Sequence, residues 1–301
     1  EQIEKLQHCL EEKQWELDEQ QHAVFRARKN KTTCVAYKSG KIVVQGKGTE
    51  ELVQFTIEPE ILHEARLGYE LYHAKNEDPD MFQPHAGMDE SGKGDFLGPM
   101  VVACCYVDET TAERLFDEGV QDSKNIKSDK QILRLNDVIR EAVGRRFAIV
   151  RLGNPAYNRM HKSMRNVNRI LAWAHARALE DLLEKVPQCP RALCDQFGHK
   201  SIVERALREE GRRIQLDQRP KAEADVAVAA ASILARAEFV DQMQKLAEKH
   251  GLDAALPRGA SSRVIDIAAG IVRKQGEGIL NDIAKTHFRT TAKVLAAAGS
   301  A

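Results

Sequence analysis

The sequence predicts an α/β protein, a β-sheet covered by helices, with a smaller α+β domain at its N-terminus. Three observations lead there. The 301 residues exceed the usual size of one domain. From Gly87 onward, short apolar runs alternate with stretches of helical periodicity, the pattern of a layered α/β unit. Between the two parts, residues 76–84 (NEDPDMFQP) combine charges with two prolines, which suits a linker. The expected domains are therefore 1–80 and 84–301.

The elements follow in order. Residues 1–20 carry seven acids and two lysines, with Ile3, Leu6, Leu10 and Leu17 at helical spacing, and predict an amphipathic helix. Residues 26–47 hold seven lysines and arginines and no acid. Within them, TTCVAYKSGKIVVQG alternates around Ser39-Gly40 and predicts a β-hairpin, a basic ribbon able to follow a phosphate backbone. A second helix is expected over 59–74. Beyond the linker the pattern predicts strands at 86–90, 100–107, 146–152, 191–196 and 213–216. Helices are predicted at 110–117, 129–144, 155–185, 226–249 and 263–274. The alanine-rich helix from about residue 222 to 237 has side chains small enough to lie close against a sheet.

Composition excludes several classes. No apolar run approaches the roughly 20 residues a membrane span needs, and no signal-peptide pattern is present. Six cysteines without a CxxC pair or zinc-ligand spacing read as reduced, buried thiols, and a cytoplasmic location is expected. Lys plus Arg equals Asp plus Glu at 45 each, so only the distribution of charge is informative. With no apolar stripe left unassigned, a monomer is expected.

Four acids stand where a solvated surface would not put them. MDESG sets Asp89 and Glu90 at the end of an apolar strand, ALCDQFG sets Asp195 at the end of another, and KAEADVAVAAAS sets Glu223, with Asp225 beside it, at the entry to an apolar helix. Each alone reads as a turn, a helix-start acid or a buried acid satisfied by backbone donors. Together, at strand ends of one α/β unit, they mark a ligand site. A set of carboxylates without histidine or thiolate suits Mg²⁺, or Mn²⁺. Two such ions would activate a water and stabilise a leaving oxygen in phosphodiester hydrolysis. Neighbouring strand residues point to opposite faces, so Asp89 and Glu90 share a site only where the strand ends, and Ser91-Gly92 provides the turn. Gly92-Lys93-Gly94 is no P-loop, because Gly rather than Ser or Thr follows Lys93. Its backbone is suited to contact ribose 2′-hydroxyls beside a metal-bound phosphodiester.

The motifs MDESGKGDFLGPMVVACCYV, GVQDSKNIKS, YNRMHKSMRNVNRILAWAHARAL, LCDQFG, KAEADVAVAAASILARAEF, LPRGAS and AKTHF appear in order across residues 87–288. Together they resemble ribonuclease HIII, a bacterial type 2 ribonuclease H. Ribonuclease HII is a poorer match, since it carries Gly-Arg-Gly and an Asp where this chain has Gly92-Lys93-Gly94 and Glu223. The resemblance implies an RNase H-like fold with a mixed sheet, Mg²⁺ or Mn²⁺ dependence, and endonucleolytic cleavage of the RNA strand in RNA/DNA hybrids, leaving 5′-phosphate and 3′-hydroxyl ends. The family's catalytic and metal-binding carboxylates fall on Asp89, Glu90, Asp195 and Glu223, with Asp225 leaving the fourth position open. Substrate contacts fall on Gly92, Lys93, Gly94 and Lys124. Tyr157, Asn158, Asn166 and Asn168 also match, with structural roles expected for most. The region before residue 80 is similar to the family's extra domain, half of a TATA-binding-protein fold that helps to hold the hybrid. The alternatives are a non-catalytic RNA/DNA hybrid-binding protein and a ribonuclease HII-like enzyme incising at single ribonucleotides in DNA.

Overall fold

The computed structural model describes residues 2–195, 205–207, 211, 213–252 and 255–299. Gln196 to Gly198 of the LCDQFG motif lie outside the described residues. The chain divides into two compact units, Glu1–Asp78 and Pro79–Ala301.

In the first unit, α1 (Gln2–Glu12) precedes a four-stranded antiparallel sheet in the order β1 (Glu16–Asp18), β2 (Ala23–Lys29), β3 (Thr32–Tyr37) and β4 (Ile42–Gly46). The helix expected over 1–20 stops at Glu12. Gln14 has a φ of 60° and turns the chain, so Leu17 enters the core from a strand instead. The hairpin forms as expected, with Gly40 at φ 87° in its turn, and β2 is an addition to it. Period-two alternation sends Phe25 and Ala27 inward against Leu6, Leu10, Ile57 and Ile61, and Arg26 and Arg28 to the opposite face.

The helix expected over 59–74 is replaced by α2 (Thr49–Leu52), a wide π-type continuation over Val53–Leu62, and a separate α3 (Glu70–Glu77). Pro59 has no N–H for a regular helical bond, and the wider turn accommodates it. His63, left-handed at φ 56°, ends that helix.

The second unit is a five-stranded mixed sheet in the order β7-β6-β5-β8-β9, formed by β5 (His85–Ser91), β6 (Met100–Val107), β7 (Phe147–Leu152), β8 (Arg191–Asp195) and β9 (Gln215–Arg219). β5 runs antiparallel to β6 and parallel to β8, and β8 parallel to β9. The last strand begins two residues later than expected and extends to Arg219, because it pairs along the whole of β8. Helices α4 (Glu109–Asp117), α5 (Asp129–Val143), α6 (Asn154–Met164), α7 (Val167–Leu183), α8 (Val226–Lys249) and α9 (Ser262–Gln275) agree with the sequence pattern within a few residues. Two short helices, α10 (Ile279–Ile283) and α11 (Thr290–Gly299), were not expected.

Local chemistry sets several of these boundaries. Asp108 caps α4 by accepting from Thr111 N, and Asn166 caps α7 by accepting from Asn168 N and Arg169 N. One face of the sheet packs Met88, Val102, Cys104 and Cys194 against Leu171, Leu179 and Leu182 of α7. On β5, α8 lies so close that a Cβ built on Gly87 would overlap the backbone of Ala227 and Val228. Among the described residues, no helix is long and apolar enough to cross a membrane, and all six cysteines are buried and free.

Candidate active site

Register decides which acids meet. Met88 pairs with Cys194 across the parallel strands β5 and β8, so Asp89 and Asp195 are the next residues at the same edge of the sheet. That edge holds a cleft lined by Asp89, Glu90, Lys93, Lys124, Asp195 and Arg258, among others. Gly92 and Gly94 line it too, so seven of the eight site residues expected from sequence stand around one opening.

The two adjacent acids are held from opposite sides of the sheet. Asp89 is buried beside Ser232 on α8, and its Oδ1 accepts from Glu90 N at 2.8 Å. Glu90 turns toward α7, where Oε2 lies 3.1 Å from His175 Nε2, and Oε1 accepts from Lys93 Nζ at 3.3 Å. Burial pushes the Asp89 carboxyl well above the usual aspartate range, and the charge of Glu90 adds to it. Burial acts in the same direction on Glu90, but His175 and Lys93 outweigh it and hold that carboxyl below its usual range.

Glu223 is not part of the cleft lining. It sits in the short turn Ala222–Ala224, between β9 and α8, and its Oε2 is buried without a hydrogen-bond partner. Its charge nevertheless reaches Lys124. Burial lowers the Lys124 pKa, but Asp122, Asp89, Glu223 and Asp195 together raise it above the usual lysine value, so the ammonium stays protonated among the acids. Asp225 stands apart. Oδ1 accepts from Ala227 N at 2.9 Å and Val228 N at 3.2 Å, capping α8, and both its oxygens face His85 Nε2.

Ser232 and Arg236, on one side of α8, hold the Asp122-Ser123-Lys124 loop. Ser232 Oγ is 2.7 Å from Ser123 Oγ, and Arg236 donates to the carbonyls of Ser123 and Ile126. Asp129 then accepts from both Arg236 and Arg258. His175, Ser232, Arg236 and Arg258 were missed from sequence. Only the four-residue spacing of Ser232 and Arg236 on a helix next to the acids hinted at them. Of the further positions singled out from sequence, Tyr157 is buried, Asn158 bonds Ala284 O and Thr286 N, and Asn166 is a helix cap. None of these three nor Asn168 lines the cleft among the described residues.

Among the described residues, no group of three or more His, Cys, Asp or Glu side chains is gathered tightly enough to hold a metal ion as it stands. The donor set nevertheless fits a hard divalent cation. The acids offer only oxygen, Asp89 is buried beside a second carboxylate, and Glu223 Oε2 is buried without a donor. A cation at that edge would compensate all three.

Comparison with known proteins finds relatives along nearly the whole chain. The family model described as Ribonuclease HII matches residues 86–291, and one described as a domain of unknown function (DUF3378) matches residues 1–65. The chain is 40% identical to a Ribonuclease HIII from Chlamydia pneumoniae over 287 residues, covering 95% of this chain and 92% of that protein. It is 37% identical to a Ribonuclease HIII from Protochlamydia amoebophila, covering 98% and 94%. Among solved structures, Bst-RNase HIII in complex with Mn²⁺ aligns with a TM-score of 0.68 at 32% identity, covering 98% of this chain and 97% of that one. With matches over nearly its whole length, this chain belongs to the ribonuclease HIII family.

Proposed function

We propose that the chain hydrolyses the RNA strand of RNA/DNA hybrids endonucleolytically, leaving 5′-phosphate and 3′-hydroxyl ends, with Asp89, Glu90, Asp195 and Glu223 as ligands of Mg²⁺ or Mn²⁺. The observation that carries this reading is the placement of Asp89 and Asp195 on adjacent parallel strand ends, with Lys124 facing them and Glu223 Oε2 buried nearby without a partner. A bound cation would supply an ionised water and stabilise the leaving oxygen.

The chain's own groups do the remainder. Lys124 binds a phosphate of the RNA strand next to the acids. His175 and Lys93 keep Glu90 ionised and aimed at the cleft, and Gly92 to Gly94 bring backbone groups up to the ribose. Glu223 rather than Asp225 is the fourth ligand, since both Asp225 oxygens are engaged at the start of α8.

Residues 1–80 form a hybrid-holding domain through the sheet face that carries Arg26 and Arg28, and 84–301 form the catalytic domain. On that face Asp18 pairs with both arginines, at 2.5 Å to Arg26 and 3.3 Å to Arg28, so phosphate binding there has to displace an internal partner. The protein works as a cytoplasmic monomer.

Gel analysis of two end-labelled substrates, a continuous RNA/DNA hybrid and a duplex with one embedded ribonucleotide, in Mg²⁺, Mn²⁺ or EDTA, tests the reading. Cuts spread through the hybrid only with metal support it. Cleavage beside the single ribonucleotide would assign a ribonuclease HII-like activity, and binding without cleavage in any metal would leave a hybrid-binding protein.

A further inference from the structure

The four residues that follow the Gly92-Lys93-Gly94 loop are tied down one by one. Gly259 N donates to Asp95 Oδ1 at 2.5 Å, and Phe96 N donates to Gly259 O at 2.9 Å. Leu97 forms an antiparallel bridge with Ala284, and Gly98 N donates to Ile283 O at 2.8 Å. At the centre is Lys285, whose side chain is fully buried. Its Nζ donates to Asp95 O at 2.9 Å and to Gly98 O at 2.6 Å, closing the two ends of the segment onto one atom, and its backbone N donates to Phe96 O at 2.8 Å.

A buried ammonium without a paired carboxylate is costly, and burial lowers the Lys285 pKa to about 7 against the opposing charge of Asp95. The two carbonyls accept from Nζ whether it is amine or ammonium, so the position uses lysine as a hydrogen-bond donor. The other titratable neighbours are His287, itself lowered to about 4 by burial and by the charges of His161 and Lys285, and Tyr157, whose ring centre is 5.9 Å from Nζ. Apolar packing alone would be met by methionine, which fills a similar volume.

The other stem of the loop is fixed at Gly92, which has a φ of 90° and room for no Cβ beside Pro99 O. Gly94, at the tip, has open space around it. The loop thus has open space at Gly94 between two clamped stems, with Lys93 held to Glu90.

We propose that Lys285 is a positioning residue that sets the Gly92–Gly94 loop and, through it, the preference for a ribose-bearing strand over deoxyribose. This rests on the proposed reading of the loop as a ribose contact. The test is the ratio of affinities for an RNA/DNA hybrid and a DNA duplex of the same sequence, measured by anisotropy with the full chain in EDTA, alongside thermal melting. Lys285→Met is expected to lower that ratio at least tenfold while melting stays cooperative. A merely structural role would weaken both affinities alike, and an unchanged ratio in the folded variant overturns the proposal. If Lys285→Met does not melt cooperatively, Asp95→Ala, which removes the Gly259 strap from the same segment at a half-buried site, is held to the same outcomes. Because the ratio is read without cleavage, a chain that binds the hybrid but cuts nothing would refute the hydrolase reading and leave this test intact. A wild-type ratio near one would overturn this proposal together with the reading of the loop as a ribose contact, and leave the hydrolase reading to the cleavage assay.

Discussion

His85 Nε2 stands 2.9 Å from Asp225 Oδ1, and both side chains are buried, although 140 residues of chain separate them. His85 is the first residue of β5 and its Nδ1 lies 2.6 Å from Gln83 O, while Asp225 caps α8. The pair fastens the start of the helix to the start of the strand that carries Asp89 and Glu90. Asp225, which by sequence competed with Glu223 for a place among the ligands, is engaged in that fastening.

Glu223 and Asp225 should therefore separate cleanly on substitution. Asp225→Ala removes a helix cap and breaks a buried pair, and is expected to cost about 3 kcal/mol or more in urea denaturation. Glu223→Gln should leave the denaturation midpoint nearly unchanged while hybrid cleavage falls more than about a hundredfold. The reverse pattern would assign the ligand role to Asp225.

Asp89 should trade stability for activity. Its carboxyl is raised by burial and by Glu90, so the folded state binds this proton before the unfolded state does. The metal-free protein accordingly gains stability from this group as pH falls through the raised value toward the ordinary aspartate range. Asp89→Asn should remove that dependence, stabilise the metal-free protein at pH 7 by on the order of 1 to 3 kcal/mol, and abolish cleavage while hybrid binding persists. Adding Mg²⁺ should raise the melting temperature of the wild type much more than that of the variant.

Lys124 should contribute through phosphate. Lys124→Ala is expected to raise KM for the hybrid about tenfold and to lower the slope of log affinity against log salt by about 1. An unchanged slope would make Lys124 only a counter-charge for the acids around it.

Gly87 reports the closeness of α8 and β5. Gly87→Ala forces a methyl group into the backbone of Ala227 and Val228, at an expected cost of about 3 kcal/mol or more, or a chain that does not fold. A stable Gly87→Ala protein would show that helix and strand can separate without loss.

Sequence by itself determined the layered α/β unit, the order of its elements, the basic hairpin, and most of the residues that line the cleft at the sheet edge. Apolar periodicity is a local property, and carboxylates at the ends of apolar runs are conspicuous because burying them uncompensated is costly. It failed where local pattern and tertiary demand diverge. Leu17 continues the helical spacing of α1 but belongs to a strand, because Gln14 turns the chain. Pro59 and His63 reshape the helix that periodicity extended to residue 74.

Only the tertiary structure decided how the acids are shared out. The Met88–Cys194 register puts Asp89 and Asp195 side by side, and the partners that set their neighbours' roles arrive from distant segments: His175 for Glu90, His85 for Asp225, Lys285 for the loop. Composition and spacing carry no record of such pairings. The free energy of a buried polar group depends on what stands across from it, and that is fixed only when strand register and helix packing bring the partner within hydrogen-bonding distance.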